Sequence, residues 1–205
     1  MEKDSIEPKF HSLLSEVDKA FAALKQRYAA EICCGPGCDD CCHAVFSVSL
    51  AEAYFIERHV RSRLLFENPE VFEKVRKRAE DFKKELEQKE VRFSPVGNDQ
   101  ASMELYGQWR IRCPMLADDR RCAIYQLRPL TCRAYGLPLS ISGRGHVCGL
   151  SGFTQGTDYP TIKMDNIHRY LLDLSKKLVE IKELGPEMAT KREFLAAVVL
   201  RLAGE

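Results

Sequence analysis

The sequence predicts a mainly α protein, with helices packed around an irregular cysteine-rich metal-binding centre and one small β-hairpin. Apolar residues recur at steps of three and four over long stretches near both ends of the chain, a pattern typical of amphipathic helices. Five of the nine cysteines lie within 33–42, where only Gly, Pro and Asp separate them, and these residues favour turns. The other four lie between Cys113 and Cys148, so the chain is expected to bring two cysteine-rich segments together.

The first predicted helix spans 7–31 and leads into the cysteine loop. Its charged residues are expected on a solvated face. Its apolar residues form one stripe: Phe10, Leu13, Leu14, Val17, Phe21, Leu24 and Tyr28.

Two more helices are predicted between the cysteine segments. Ser49-Leu-Ala-Glu52 has the pattern of a capping box, so a helix is expected from there to about Phe66. Asn68-Pro69 predicts a second start, with Asn68 as the cap of a helix that continues to about Glu90. The segment 92–108 contains several Gly, Pro, Asn and Asp residues and is predicted to be mainly loop.

The second cysteine segment is expected to alternate turns with short regular elements. A turn at 118–120 should separate Cys113 from Cys122. Pro129 should begin a short helix that carries Cys132.

The last part of the chain is predicted to contain a hairpin and a helical pair. Alternating apolar residues over 137–147 indicate a β-hairpin that ends at Cys148. After a linker at 149–160, helices are expected over 164–184 and 190–202.

These elements are interpreted as a single domain, 1–205. Its cysteine-cluster core spans about 33–148, with the N-terminal helix at 7–31 and the C-terminal helical pair at 164–203.

Composition excludes several classes of partner. The formal net charge is +1, from 31 basic and 30 acidic residues, so no overall field favours nucleic acid or an anionic membrane. The N-terminus has no apolar run typical of a signal peptide, and nothing later approaches the roughly 20 apolar residues of a spanning helix. A cytoplasmic location is therefore expected, with no membrane and no nucleic-acid partner. Because that compartment is reducing, the cysteines are interpreted as metal ligands or redox groups rather than disulfides.

The cysteines are expected to bind metal as thiolates. Thiolate is a soft ligand that selects iron–sulfur clusters or zinc, and iron is slightly favoured. With Cys33 set aside, the predicted ligands are Cys34, Cys38, Cys41, Cys42, Cys113, Cys122, Cys132 and Cys148. Eight thiols suffice for two four-thiolate sites, or for one site with spare thiols, and the sequence alone does not group them.

Residues beside the cysteines receive separate interpretations. The adjacent side chains of Cys41 and Cys42 are expected to diverge, and so to serve different metals or different corners of one cluster. His43 and His146 are interpreted as neighbours of the site rather than ligands. Four residues are candidates to donate hydrogen bonds to the thiolates and tune the centre: Arg128, Arg133, Tyr125 and Tyr135.

The cysteine pattern resembles that of a known family. It is similar to the pattern of the YkgJ family of cysteine-cluster proteins, described as chelating zinc or iron. Three motifs carry the resemblance: Cys34-x3-Cys38-x2-Cys41-Cys42, then Cys113-Pro-x-Leu, then Cys122-x-Ile-Tyr-x-x-Arg-Pro-x-x-Cys132-Arg-x-Tyr. The resemblance covers 34–148 and implies chelation by eight cysteines, with Cys33 either extra or in the place of Cys34. A flagellin lysine methylase has a similar cluster, but this chain shows no glycine-rich loop for a methyl donor, so the resemblance implies the cluster and not that activity.

A radical S-adenosylmethionine enzyme is a further alternative. Such enzymes share the spacing Cys34-x3-Cys38-x2-Cys41, but they usually need a barrel of alternating strands and helices, and they usually carry an aromatic residue where Asp40 stands here. The leading hypothesis is a metal-binding protein for electron transfer, metal handling or redox sensing. The alternatives are a cluster-dependent enzyme, methylase-like or radical-type, and an interaction module held by structural zinc. The sequence identifies no protein partner or substrate.

Overall fold

The computed structural model describes residues 6–89 and 100–204, which divide into two units. Unit 1 contains 6–38 and Pro129–Leu174, and unit 2 contains Asp39–Arg128 and 175–204. The chain therefore passes from unit 1 to unit 2 inside the first cysteine segment. The single domain that the sequence predicts stays a prediction.

Helices make up most of the regular structure, and the mainly α prediction is confirmed. The helices are α1 (Ile6–Arg27), α2 (Leu50–His59), α3 (Pro69–Glu87), α4 (Gln100–Gly107), α5 (Leu130–Ala134), α6 (Met164–Ile181) and α7 (Leu195–Ala203). The strands are β1 (Val48–Ser49), β2 (Leu139–Ile141), β3 (Arg144–His146), β4 (Ile162–Lys163) and β5 (Arg192–Glu193). Single 3₁₀ turns lie at Asp40–Cys42, Tyr125–Leu127 and Pro186–Thr190. In the described ranges, no helix is both long and apolar enough to cross a bilayer.

Unit 1 is built on the packing of α1 against α5. The first part of the α1 stripe is buried on this side, with Phe10 at 1% exposure, and its later members Phe21 and Leu24 are half-buried. The amphipathic prediction is confirmed, but the helix ends at Arg27 rather than at 31. The carboxylate of Asp18 on α1 forms an ion pair with the buried guanidinium of Arg133 on α5. This pair fixes the short helix that carries Cys132.

A small sheet in unit 1 contains the predicted hairpin. Strands β2 and β3 pair antiparallel, and β4, which the sequence analysis missed, pairs parallel with β2. The hairpin turns at Ser142 and Gly143, whose φ angles are +50° and +75°. A two-residue loop with both φ angles positive matches the twist of the flanking strands, and glycine adopts that conformation most readily.

Unit 2 begins with a short strand and the predicted capping box. The Ser49 hydroxyl accepts a hydrogen bond from the Glu52 N–H (3.3 Å), and the Ser49 N–H donates to the Glu52 carboxylate (3.0 Å). Helix α2 continues as a π-helical segment at Val60–Phe66, so the chain stays helical as far as predicted. Strand β1 pairs antiparallel with β5.

The core of unit 2 lies between α3 and α7. Phe194, which precedes α7, is fully buried, and its ring lies 5.6 Å from that of Phe82 and 5.5 Å from that of Tyr106. These edge-to-face contacts fix α7 on α3 and on the end of α4.

Three sequence expectations are corrected in unit 2. The Asn68 side chain does not cap α3, because its amide instead donates to the Arg63 carbonyl (2.7 Å). The segment 92–108 includes α4, although mainly loop was predicted; the part 92–99 lies outside the described residues. The last helix begins at Leu195 rather than near Thr190, because a 3₁₀ turn and β5 precede it.

Candidate metal centre

The nine cysteines are all free thiols, and they are distributed over both units. We call the unit 1 cysteines Cys34, Cys38, Cys132 and Cys148 set A. We call the unit 2 cysteines Cys41, Cys42, Cys113 and Cys122 set B. Cys33 also lies in unit 1 and is exposed.

Backbone hydrogen bonds bring Cys42 beside Cys113 in unit 2. The Cys113 N–H donates to the Cys42 carbonyl (2.7 Å), and the Ile111 N–H donates to the His43 carbonyl (3.0 Å). An antiparallel bridge between Ala44 and Arg110 extends this pairing. The two cysteine segments of set B therefore lie side by side.

A second pairing returns the chain to Cys122. Leu116 and Cys122 form an antiparallel bridge, and the Ala123 N–H donates to the Met115 carbonyl (2.8 Å). The chain reverses at 118–120, which confirms the predicted turn. Arg120 in this turn has a φ of +63°.

Three cysteines share one local conformation with two hydrogen bonds. The N–H of the second residue after the cysteine donates to its sulfur, and the N–H of the third residue donates to its carbonyl. We call it the cysteine turn. At Cys113 these donors come from Met115 and Leu116 (3.1 Å to the carbonyl). At Cys122 they come from Ile124 and Tyr125 (3.2 Å).

The third cysteine turn begins at Cys148 in unit 1. There the Leu150 N–H donates to the sulfur (3.4 Å), and the Ser151 N–H donates to the Cys148 carbonyl (2.9 Å). An N–H aimed at sulfur stabilises the thiolate. The sequence signal that we missed is Pro, Ala or Gly after the cysteine, followed by an apolar residue.

The thiols of set B are close enough to shift one another's ionisation. The pKa of Cys42 is raised, first by its hydrogen bond with the Cys41 thiol, then by burial and by negative charge on Cys41, Cys113 and Cys122. Burial, with the charge of the Cys122 and Cys41 thiolates, raises the pKa of Cys113 to about 12. The pKa of Cys122 is raised by burial and by Cys41. The expected divergence of Cys41 and Cys42 is thus not seen, because the 3₁₀ turn keeps their thiols in contact.

Arginine side chains fix the segments that carry set B. The Asp39 carboxylate accepts two hydrogen bonds from Arg120 (2.8 and 3.0 Å), which hold the pKa of Asp39 below its usual range. Asp40 forms an ion pair with Arg110. Both aspartates of the cysteine loop therefore anchor it to the second cysteine segment.

Arg78 is a residue that the sequence analysis missed. From the middle of α3, its Nε donates to the carbonyl of Pro114 (2.9 Å), and its side chain is only 14% exposed. This hydrogen bond fixes the cysteine turn at Cys113. The charge of Arg78 offsets part of the rise in the pKa of the Cys113 thiol. No local signal distinguishes Arg78 from the other basic residues of this Lys- and Glu-rich helix.

Set A is tied together by different contacts. The Cys34 thiol donates to the Tyr135 carbonyl (3.6 Å), just after the helix that carries Cys132. Gly136 has a φ of +93°, and a Cβ there would overlap the Cys34 sulfur. Cys33, by contrast, reaches only the Glu31 carbonyl, at 3.9 Å. Cys34 rather than Cys33 therefore faces the second cysteine segment.

The turn at Cys148 is fixed to the chain that precedes Cys34. The Gly152 N–H donates to the Glu31 carbonyl (2.8 Å), and a Cβ on Gly152 would lie 3.2 Å from the Glu31 Cα. Two aromatic residues of the predicted linker pack edge to face, with the Tyr159 ring 5.5 Å from that of Tyr28 and 4.8 Å from that of Phe153. These contacts hold the linker on the end of α1.

The four candidate tuning residues take different roles. The charge of Arg128 lowers the pKa of Cys122, and its guanidinium stacks over the Tyr125 ring at 4.0 Å. Tyr125 itself is 58% exposed. Arg133 pairs with Asp18, and Tyr135 offers its main-chain carbonyl rather than its hydroxyl to Cys34.

The two histidines beside cysteines also differ. The His43 Nδ1 lies 3.2 Å from the Asp39 carbonyl, and His146 is exposed on β3. The contact at His43 is with a main-chain carbonyl rather than with a cysteine sulfur.

The donor set fits a thiolate-bound metal in type and number. Set B supplies four soft donors from three chain segments. Tetrahedral zinc requires four such ligands, and so does an iron–sulfur cluster. In the described ranges, no three His, Cys, Asp or Glu side chains are yet close enough to hold an ion together. The thiols of set B therefore have to approach one another further to hold an ion.

Comparison with known proteins identifies a family for the part of the chain that contains the cysteines. Residues 33–149 match the family model CxxCxxCC, described as "Putative zinc- or iron-chelating domain". No curated protein and no solved structure matched the chain.

Proposed function

Since the chain belongs to the CxxCxxCC family of zinc- or iron-chelating domains, we propose that it binds metal through the four thiols of set B. The observation that carries this proposal is the pairing of the segments that hold these thiols, in which the Cys113 N–H donates to the Cys42 carbonyl (2.7 Å) and Cys122 forms an antiparallel bridge with Leu116. The effect of the thiols on one another's ionisation agrees with this pairing. Each of Cys42, Cys113 and Cys122 has a raised pKa, in part because another sulfur of the set lies nearby. Four thiolates crowded in this way repel one another unless a cation lies among them.

The surroundings of set B support a thiolate-bound centre. Four thiolates around zinc, or around an iron–sulfur cluster, carry a net negative charge, which nearby cations and N–H donors stabilise. The positive charges of Arg78 and Arg128 offset part of the rise in the pKa of Cys113 and of Cys122, respectively. The cysteine turns add one N–H donor to each of these two sulfurs. The chain therefore supplies both charge and hydrogen bonds to the thiolate form.

When bound, zinc would supply a rigid structural cross-link, whereas an iron–sulfur cluster would supply an electron-transfer or redox-sensing group. We favour iron slightly, because the chain carries more thiols than one zinc ion requires. The chain's own contribution is to hold the three segments in register. Metal binding releases the thiol protons to solvent.

Anaerobic purification, elemental analysis and an absorption spectrum of the same sample test the proposal. The wild type is expected to contain zinc, or iron with acid-labile sulfide and a broad visible band. The double variant Cys113→Ser/Cys122→Ser should lose the metal of set B, whereas Cys33→Ser, which changes an exposed thiol, should keep the wild-type content. An unchanged metal content in the double variant would overturn the assignment.

A further inference from the structure

We infer that two aspartate–arginine ion pairs form a clasp that holds the cysteine segments of unit 2 together and opens when salt screens its charges. The pairs are Asp39 with Arg120 and Asp40 with Arg110. All four residues lie in unit 2. The inference rests on the function proposed for set B and adds a means of controlling access to its thiols.

The Asp39 pair joins the first cysteine segment to the turn before Cys122. The Asp39 carboxylate accepts two hydrogen bonds from the Arg120 guanidinium (2.8 and 3.0 Å), and Arg120 stands two residues before Cys122. A fork of this kind fixes orientation as well as distance, because both carboxylate oxygens are used. This junction is therefore formed by charged side chains.

The Asp40 pair joins the same segment to the chain before Cys113. Arg110 forms an ion pair with the Asp40 carboxylate, and its guanidinium also donates to the Asp40 carbonyl (3.1 Å). Arg110 stands three residues before Cys113. Because Asp39 and Asp40 directly precede Cys41, two adjacent residues connect the first pair of set B thiols to both of the other segments.

The backbone of Arg120 points to a function for its side chain. Its φ is +63°, in the left-handed region that glycine and asparagine adopt more readily than arginine does. The turn around it is closed by a hydrogen bond from the Ala117 N–H to the Arg121 carbonyl (2.8 Å). A long side chain at an unfavourable backbone position indicates that the side chain is needed there. The fork with Asp39 is that need, since a glycine would have no side chain to form it.

The clasp is accessible to salt from its arginine side. The side chains of Asp39 and Asp40 are 21% and 17% exposed, whereas those of Arg120 and Arg110 are 61% and 50% exposed. Dissolved ions screen charges beyond about 10 Å at 0.1 M and beyond about 3 Å at 1 M. Ion pairs with exposed partners are weakened most by this screening. The clasp is therefore expected to hold at low salt and to loosen as salt rises.

Holding the segments together matters most before metal binds. Thiolates that lie close together repel one another, and the thiols of set B have to approach further to hold an ion. The clasp opposes this repulsion, because its opposite charges attract one another across the same segments. Metal is thus expected to enter segments that are already aligned, and to leave more easily once the clasp opens.

Alkylation of the metal-free full chain tests the clasp in the absence of metal. The chain is treated with iodoacetamide, an uncharged reagent, and the reaction of each cysteine peptide is followed by mass spectrometry. The thiols of set B should react roughly three- to tenfold faster in about 1 M than in about 0.05 M sodium chloride, because the two ion pairs are screened. The exposed Cys33 is the internal reference and should react at the same rate in both.

Arg120→Gly removes one half of the clasp and relieves the left-handed backbone. It should keep the wild-type circular dichroism, react fast already at low salt and respond less to added salt. Loss of a positive charge alone would disfavour thiolates and slow the alkylation, so a faster reaction reports opening. The control Arg121→Gln removes the same charge from the next residue, which is 87% exposed and pairs with Asp119 of its own turn (3.8 Å), and it should behave as the wild type.

Two results would overturn the clasp. One is a wild-type rate for set B that does not change with salt. The other is an equal rate in Arg120→Gly and the wild type at low salt. If Arg120→Gly does not fold, Arg120→Asn takes its place, because asparagine also adopts a positive φ and cannot form the charged fork.

Zinc release separates the clasp from the function proposed for set B. The full chain is loaded with zinc, and an excess of a chelator that changes colour on binding zinc reports the rate of release. Arg120→Gly should bind as much zinc as the wild type and release it roughly three- to tenfold faster at low salt, whereas Arg121→Gln should release it at the wild-type rate. An unchanged release rate in Arg120→Gly would overturn the clasp and leave the function of set B intact. An unchanged zinc content in Cys113→Ser/Cys122→Ser would refute that function, and the alkylation result would still decide the clasp.

Discussion

Replacing Gly136 by alanine should destabilise unit 1 more than a similar change at another left-handed glycine. At a φ of +93°, a Cβ costs about 1–2 kcal/mol through the backbone alone. The new Cβ would also overlap the Cys34 sulfur and lie 3.4 Å from the Cys34 Cβ. Displacing that side chain from its rotamer adds about 0.5–1.5 kcal/mol. We expect a total loss of roughly 1.5–3.5 kcal/mol in the free energy of unfolding.

Urea denaturation of the metal-free protein measures this loss. Gly143→Ala is the matched control, because its φ is +75° and no atom lies within 4 Å of the added Cβ. It should cost only the backbone share, about 1–2 kcal/mol. Adding Cys34→Ala to Gly136→Ala should recover part of the excess, since the overlapping sulfur is gone. Equal losses for the two glycine variants would refute the seating of Cys34 on Gly136.

Two further predictions concern the residues that anchor each cysteine segment. Arg78→Lys removes the Nε donor to the Pro114 carbonyl and should lower the free energy of unfolding, measured in urea, by about 1–2 kcal/mol. The control Arg63→Lys changes an exposed ion pair and should leave this free energy nearly unchanged. Equal losses in the two variants would contradict the anchoring role of Arg78. Asp18→Asn removes the carboxylate that pairs with Arg133, a residue that is only 4% exposed. It should lower the free energy of unfolding by about 1–3 kcal/mol. An unchanged unfolding midpoint would show that the pair does not hold α5.

Local sequence patterns predicted the elements that depend on local rules. The stripe of α1 and the Ser49–Glu52 capping box were confirmed because helix periodicity and capping act within a few residues. The hairpin was confirmed because alternation and a glycine turn specify it locally. Helix α4 was missed because its Gly107 and the polar residues before it are typical of loops.

Elements fixed by distant partners could not be predicted in this way. Strands β1, β4 and β5 have two residues each, and only their pairing across the unit makes them strands. The role of Arg78 depends on a carbonyl 36 residues away. Most of all, the grouping of the eight thiols requires knowledge of which segments fold together, and cysteine spacing carries none of it.

The position of the only tryptophan gives unit 2 an optical signal of its own. Trp109 lies in unit 2, with its ring 5.8 Å from that of Tyr106 and the Lys89 ammonium 5.3 Å from its centroid. Fluorescence excited selectively at tryptophan therefore follows the unfolding of unit 2, whereas far-ultraviolet circular dichroism follows the helices of both units. If the two transitions coincide, the chain unfolds as one cooperative body. If they separate, the two units melt independently.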